Sequence, residues 1–143
     1  VRGSYRVVKT VTDYQTITED FVKLTIFDPK LRCFEHVQQL GEFTNDAYIV
    51  ASEAAWIDIT NQGVHKGTTV AHLQELLHVT PEETMVFGDG LNDLELMAAG
   101  TFSFAMSNAF EEVKAAAAFV TKSNDENGVL KTIERLLPLQ MNQ

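Results

Sequence analysis

Hydrophobic and polar positions give the chain two rhythms, which change near Asn61-Gln62-Gly63. Before that point the pattern is strand-rich. Phe21-Val22-Lys23-Leu24-Thr25-Ile26-Phe27 alternates like a half-buried strand, and Asp28-Pro29 ends it. Pro29 suits a first helical turn; Leu31, Phe34, Val37 and Leu40 then recur at helical spacing, which predicts a helix to about Leu40. Tyr48-Ile49-Val50-Ala51 and Ala55-Trp56-Ile57-Asp58-Ile59 predict two antiparallel strands joined by Ser52-Glu53-Ala54. Residues 1–20 are less patterned, with Val7, Val8 and Val11 fitting a strand or a short helix.

After Gly63, helix and strand alternate. Val70, Leu73, Leu76 and Leu77 mark one helical face, Met85-Val86-Phe87 a buried strand, and Leu94, Leu96 and Met97 the helix after it. Phe102-Ser103-Phe104-Ala105 predicts another strand. Val129, Ile133, Leu136 and Leu137 predict a last helix before Pro138, and the Ala115 to Ala118 run is helix packing. Such alternation means parallel strands with crossover helices, an α/β fold. The expected division is 1–62 and 63–143.

The chemistry concentrates in Gly88-Asp89-Gly90-Leu91-Asn92-Asp93, where an apolar strand stops at a carboxylate and a glycine-flanked turn leads into a helix. In a parallel sheet, ligands bind at such strand ends. Three oxygen-bearing side chains beside a helix N-terminus suit a hard cation and a phosphate. Alone, Asp-Gly is an ordinary turn and Asn or Asp an ordinary cap. Lys66-Gly67 at another helix start and the strand-ending turn Ala105-Met106-Ser107-Asn108-Ala109 strengthen the functional reading.

These residues resemble the haloacid dehalogenase (HAD) superfamily of phosphatases, in its Cof-like branch with a large α/β cap. Lys66-Gly67 resembles that family's third motif, and Gly88 to Met97 its fourth, Gly-Asp-Gly-x-Asn-Asp-x-x-x-Met. Ala105 to Ala109 is similar to its Ala-Met-Gly-Asn-Ala, with Ser107 at the usual glycine. The resemblance spans Val22 to Leu137. It implies that 1–62 is the closing part of an α/β cap and 63–143 the C-terminal half of a Rossmann-like core. It also implies Mg²⁺-dependent hydrolysis of a small phosphorylated metabolite, a sugar phosphate or phosphorylated cofactor, through an aspartyl-phosphate. Asp89 then binds Mg²⁺, Asp93 orients Asp89, a metal-bound water or Lys66, Asn92 donates to the phosphate, and Lys66 neutralises its charge.

The family's nucleophile motif, Asp-x-Asp-Gly-Thr, does not occur in the 143 residues; Asp58-Ile59-Thr60 is the nearest short match and lacks the second aspartate. The chain is therefore expected to be the C-terminal part of a longer enzyme and inactive alone, partnered by its N-terminal half or self-associating through open strand edges. Two other readings are a non-catalytic binding fragment and the phosphorylation domain of a P-type ATPase, which shares the Gly-Asp-Gly-x-Asn-Asp turn. The latter is disfavoured by the cap-like Phe21–Ile59 region and the lack of membrane segments.

Composition narrows the classes further. The net charge of −9 argues against a nucleic-acid surface, and no apolar run is long enough to span a membrane. A lone Cys33 offers no disulfide framework and points to the cytoplasm. His36, His65, His72 and His78 show no paired metal spacing and read as structural or surface residues. Asn124, Asp125 and Asn127 read as loop and capping residues, Ser107 and Asn108 first as a cap, and Trp56 as cap core.

Overall fold

The computed structural model describes residues 6–42 and 46–140. The expected segments 1–62 and 63–143 therefore include residues 1–5, 43–45 and 141–143, which lie outside the described residues.

The first segment is an antiparallel sheet carrying one helix. Its elements are β1 (Leu24–Phe27), α1 (Cys33–Gly41), β2 (Ala47–Glu53) and β3 (Trp56–Asn61), with strand order β1-β3-β2. Leu24 and Ile49 both lie opposite Ile59, so side chains of one parity share a face. Ile49, Ala51, Ile57 and Ile59 pack there against Cys33, Phe34, Val37 and Leu40 of α1. Tyr48, Val50, Asp58 and Thr60 have the opposite parity and line a cavity shared with the second segment.

Three expectations shift here. The first strand starts at Leu24, with Phe21 and Val22 exposed before it. The helix starts at Cys33 rather than near Pro29, because the Asp28 carboxylate captures the N–H groups of Lys30 (2.9 Å) and Arg32 (3.4 Å) in a turn. The Lys30 N–H also holds the Asp28 carboxyl below its usual range. Leu31 sits in that turn at φ 58°, exposed, instead of on the helix. Val7 and Val8 are exposed and belong to neither strand nor helix; the described part of 1–20 forms only a 3₁₀ turn, Tyr14–Thr16.

The second segment alternates as expected. α2 (Lys66–Leu77) leads through a 3₁₀ turn to β4 (Met85–Gly88), and a second 3₁₀ turn, Leu91–Asp93, opens α3 (Leu94–Met97). β5 (Phe102–Met106), α4 (Glu111–Ala116), β6 (Phe119–Thr121) and α5 (Gly128–Gln140) follow. The strands form a parallel sheet, β4-β5-β6, with Val86 beside Ser103 and Ala105 beside Val120. Val86, Met97, Ala105, Met106 and Val113 make the core beneath it.

α2 buries a different face from the one its leucines suggest. Leu73, Leu76 and Leu77 are exposed, while Gly67 and Gln74 are buried and Val70 packs on the core. Gln74 earns its burial by donating to Thr84 Oγ1 (2.9 Å) and the Ala99 carbonyl (2.7 Å). Gly67 lets α2 approach α3 closely; a Cβ there would lie 2.5 Å from the Glu95 carbonyl oxygen. α4 ends at Ala116, so the alanine run only begins inside it, and α5 continues through Pro138 to Gln140 instead of stopping before the proline.

Two outcomes test this packing. Met97→Ala should cost about 2–5 kcal/mol as a core truncation, whereas Leu76→Ala should stay within about 0.5 kcal/mol, both by denaturant unfolding. β4 pairs only with β5 among the described residues, so the 143-residue chain alone should associate through that edge. Sedimentation velocity showing a monodisperse monomer at all concentrations would contradict this.

Candidate active site

The turn after β4 is organised by Asp93, whose side chain is 5% exposed. Its Oδ2 accepts the backbone N–H groups of Asp89 (2.9 Å) and Gly90 (3.1 Å), and its own N–H donates to the Gly90 carbonyl (2.9 Å). Gly88 makes room for it, since a Cβ there would fall 2.5 Å from the Asp93 Cβ. The other Asp93 oxygen, Oδ1, accepts from the Lys66 ammonium. Both carboxylate oxygens are thus engaged, which is what makes so deep a burial tolerable.

Lys66 is the first residue of α2, set there by a reciprocal cap. The Thr68 N–H donates to His65 Nδ1 (3.3 Å), and the His65 N–H donates to Thr68 Oγ1 (3.1 Å). His65, expected as a structural or surface residue, caps α2 and also lines the cavity between the segments.

Asp89 follows β4 directly. Its carbonyl accepts the Phe110 N–H (3.2 Å), which ties the turn to the loop before α4. Its Oδ2 accepts from the Asn124 side-chain amide (2.6 Å), and the Asn124 N–H donates to Asn108 Oδ1 (3.0 Å). Sequence reasoning placed Asn124 among loop and capping residues; it opens a 3₁₀ turn and also touches Asp89. Neither Asp125 nor Asn127 joins it. Asn127 takes φ 58° as the cap of that turn. The short polar run signals a cap whether or not one member reaches a neighbour, so nothing local singles out Asn124.

Lys66, Asp89, Asp93 and Asn124 line one hollow of about 240 Å³. Asn92 does not line it. It faces an adjoining cavity of about 390 Å³, which Lys66 also lines. Tyr48 stands in the wall of the larger cavity and donates to both oxygens of Glu95 (3.0 Å each), joining β2 to α3. Burial, then the Glu95 carboxylate, and last the Asp93 charge push the Tyr48 phenol well above its usual range. The sequence reading missed Tyr48 and Glu95, because a strand tyrosine and a helix glutamate carry no mark of each other 47 residues apart.

The donor set fits a hard cation in part. Asp89 Oδ1 accepts no hydrogen bond among the described residues and offers an anionic oxygen beside the lysine. Asp93 has no oxygen to spare and instead holds the turn and Lys66. No cluster of three or more His, Cys, Asp or Glu suited to a metal occurs among the described residues, so Asp89 would be one ligand of a larger set.

Comparisons with known proteins identify the family and the fold. The model of the haloacid dehalogenase-like hydrolase family matches residues 4–133. The 5-amino-6-(5-phospho-D-ribitylamino)uracil phosphatase YbjI of Escherichia coli (strain K12) is 44% identical over 81 residues, 57% of this chain and 30% of that protein. The crystal structure of SMU.1108c from Streptococcus mutans UA159 aligns with TM-score 0.82 and 35% identity, over 90% of this chain and 49% of that one. The HAD subclass IIB sugar phosphatase BT4131 aligns with TM-score 0.71 and 28% identity, over 82% of this chain and 44% of that one. The chain thus spans less than half the length of each of these relatives.

Asp93→Ala should leave the Asp89 and Gly90 N–H groups without their acceptor. Hydrogen exchange at those two amides should then speed up by about 5- to 150-fold, matching the roughly 1–3 kcal/mol of a lost buried acceptor. Exchange at Val120 in β6 should barely change.

Proposed function

The chain belongs to the haloacid dehalogenase-like hydrolases, and we propose that the intact protein is a Mg²⁺-dependent phosphatase of small phosphomonoesters. The observation that carries this reading is the hollow at the end of β4, which Lys66 and Asp89 both line, with Asp93 holding Lys66 and Asn124 holding Asp89. The names of two relatives support the substrate class. One acts on a phosphorylated ribitylaminouracil and one on a sugar phosphate, so a sugar phosphate or phosphorylated cofactor is the proposed substrate.

Phosphoryl transfer spreads negative charge over the equatorial phosphate oxygens, so positioned cations lower the barrier. Lys66 supplies one such cation. Its pairing with the buried Asp93 carboxylate fixes where the ammonium sits, with about half of its side chain still exposed toward the hollows. Asn92, at the boundary of the larger cavity, donates an amide N–H to the phosphate in this reading. Asp89 would hold Mg²⁺ with its free carboxylate oxygen, and Asn124 steers the carboxylate through the other one. When bound, the ion neutralises phosphate charge and orients the group.

The reaction itself needs a nucleophilic carboxylate. It attacks phosphorus, the alcohol leaves, and water hydrolyses the resulting aspartyl-phosphate. No Asp-x-Asp-Gly-Thr lies in the 143 residues, so in this proposal the nucleophile and its neighbouring general acid lie outside them.

Turnover of an aryl phosphate by the intact protein, with Mg²⁺ and with chelator, tests the reading. Asp89→Asn should reduce Mg²⁺-dependent turnover much more than Asp125→Asn, because an amide lacks the anionic oxygen a hard dication favours. Equal losses at the two positions would contradict the ligand assignment. Lys66→Ala should lower turnover with the fold retained, at a cost in stability from the buried Asp93 carboxylate left without its cation. The 143-residue chain alone should be inactive, with a loss on the order of 10⁶-fold typical of removing a nucleophile.

A further inference from the structure

The antiparallel sheet contributes a wall to the larger cavity, and one residue of that wall is a shielded carboxylate. Val50, Val64, Val70 and Leu96 line much of the space, and Lys66 and Asn92 mark its phosphate end. Asp58, on the central strand β3, projects into it with a side chain only 18% exposed. Thr25 lies directly opposite on β1 and donates its hydroxyl to Asp58 Oδ1 (2.8 Å). The Lys23 ammonium stands 3.4 Å from the same oxygen. Asp58 Oδ2 accepts no hydrogen bond among the described residues and is not sealed from solvent.

A shielded carboxylate is costly unless its lone pairs are used. Here one oxygen is held by two donors, which fixes the orientation, and the other is left for a ligand. Lys23 already supplies the opposing charge, so a cationic ligand group gains little and an anionic one is repelled. A neutral hydroxyl fits best. Two residues along the strand, Thr60 donates its hydroxyl to the Val64 carbonyl (2.7 Å), leaving its own oxygen as a second acceptor on the cavity side.

We propose that Asp58, held by Thr25 and Lys23, determines specificity by accepting a hydrogen bond from a hydroxyl of the leaving group. The substrate class is then a phosphorylated polyol or sugar rather than a plain aryl or alkyl phosphate. This assignment rests on the phosphatase reading for the position of the phosphate group.

Calorimetric binding to the intact protein tests it, with ribitol 5-phosphate, glucose 6-phosphate and the hydroxyl-free phenyl phosphate as probes. Wild type should bind at least one polyol phosphate more tightly than phenyl phosphate. Asp58→Ala should weaken that binding by about tenfold, the size of one charge-assisted hydrogen bond, and change phenyl phosphate by less than about twofold. Asp58→Asn keeps an acceptor and the fold, and should give a smaller loss with the same selectivity. Equal losses for both probe types, no loss for the polyol phosphates, or no wild-type preference would overturn the proposal. Selective binding that depends on Asp58 without any turnover would refute the phosphatase reading and leave Asp58 as a residue that binds a polyol hydroxyl.

Discussion

A single buried carboxylate constrains the whole second segment. Asp93 gathers two backbone N–H groups from the turn after β4 and the ammonium at the start of α2. Removing a carboxylate this far from water costs several kcal/mol, and only full use of its lone pairs offsets that. Its partners are therefore fixed in number and direction. The close approaches around it depend on glycine, because a Cβ at Gly67 or Gly88 would meet atoms of Glu95 or Asp93 at 2.5 Å. Helix, turn and strand end are locked to one another, and the hollow they enclose takes its shape from that lock.

The two segments meet through few but specific contacts. Tyr48 reaches Glu95, and Phe34 of α1 packs edge-on against Phe110 at 5.9 Å between ring centres. The Phe110 N–H in turn holds the Asp89 carbonyl. The antiparallel sheet is thus anchored on both sides of the β4 turn, and its polar face lines the cavity that Lys66 and Asn92 also line. This division of labour follows from the architecture: the parallel sheet presents charge at its strand ends, while the antiparallel sheet presents alternating side chains that can differ without disturbing the core.

Much of this was legible in the sequence because the signals were local and periodic. Met85-Val86-Phe87 followed by Gly88-Asp89-Gly90 reads as a strand and a tight turn, and helix-strand alternation implied the parallel sheet that is observed. The misses share a physical cause. Leu73, Leu76 and Leu77 have helical spacing, yet spacing cannot say which face meets a neighbour, and a hydrogen-bonded Gln74 took the buried side. Leu31 fits the helical period but lies in a turn that Asp28 imposes through two backbone N–H groups. Asn124 reads as a cap in any short polar run; its contact with Asp89 bridges 35 positions and leaves no local trace.

The central claim is that Lys66 and Asp93 act as one unit, and a double-mutant cycle on the intact protein tests it most directly. Lys66→Met, Asp93→Asn and the double variant would be compared by denaturant unfolding. Coupling predicts that the double variant is more stable than the sum of the single losses implies, by more than about 0.5 kcal/mol, the limit seen for independent sites. Single losses that simply add would contradict the account, and the lysine would then be an exposed cation near the turn rather than one held by it.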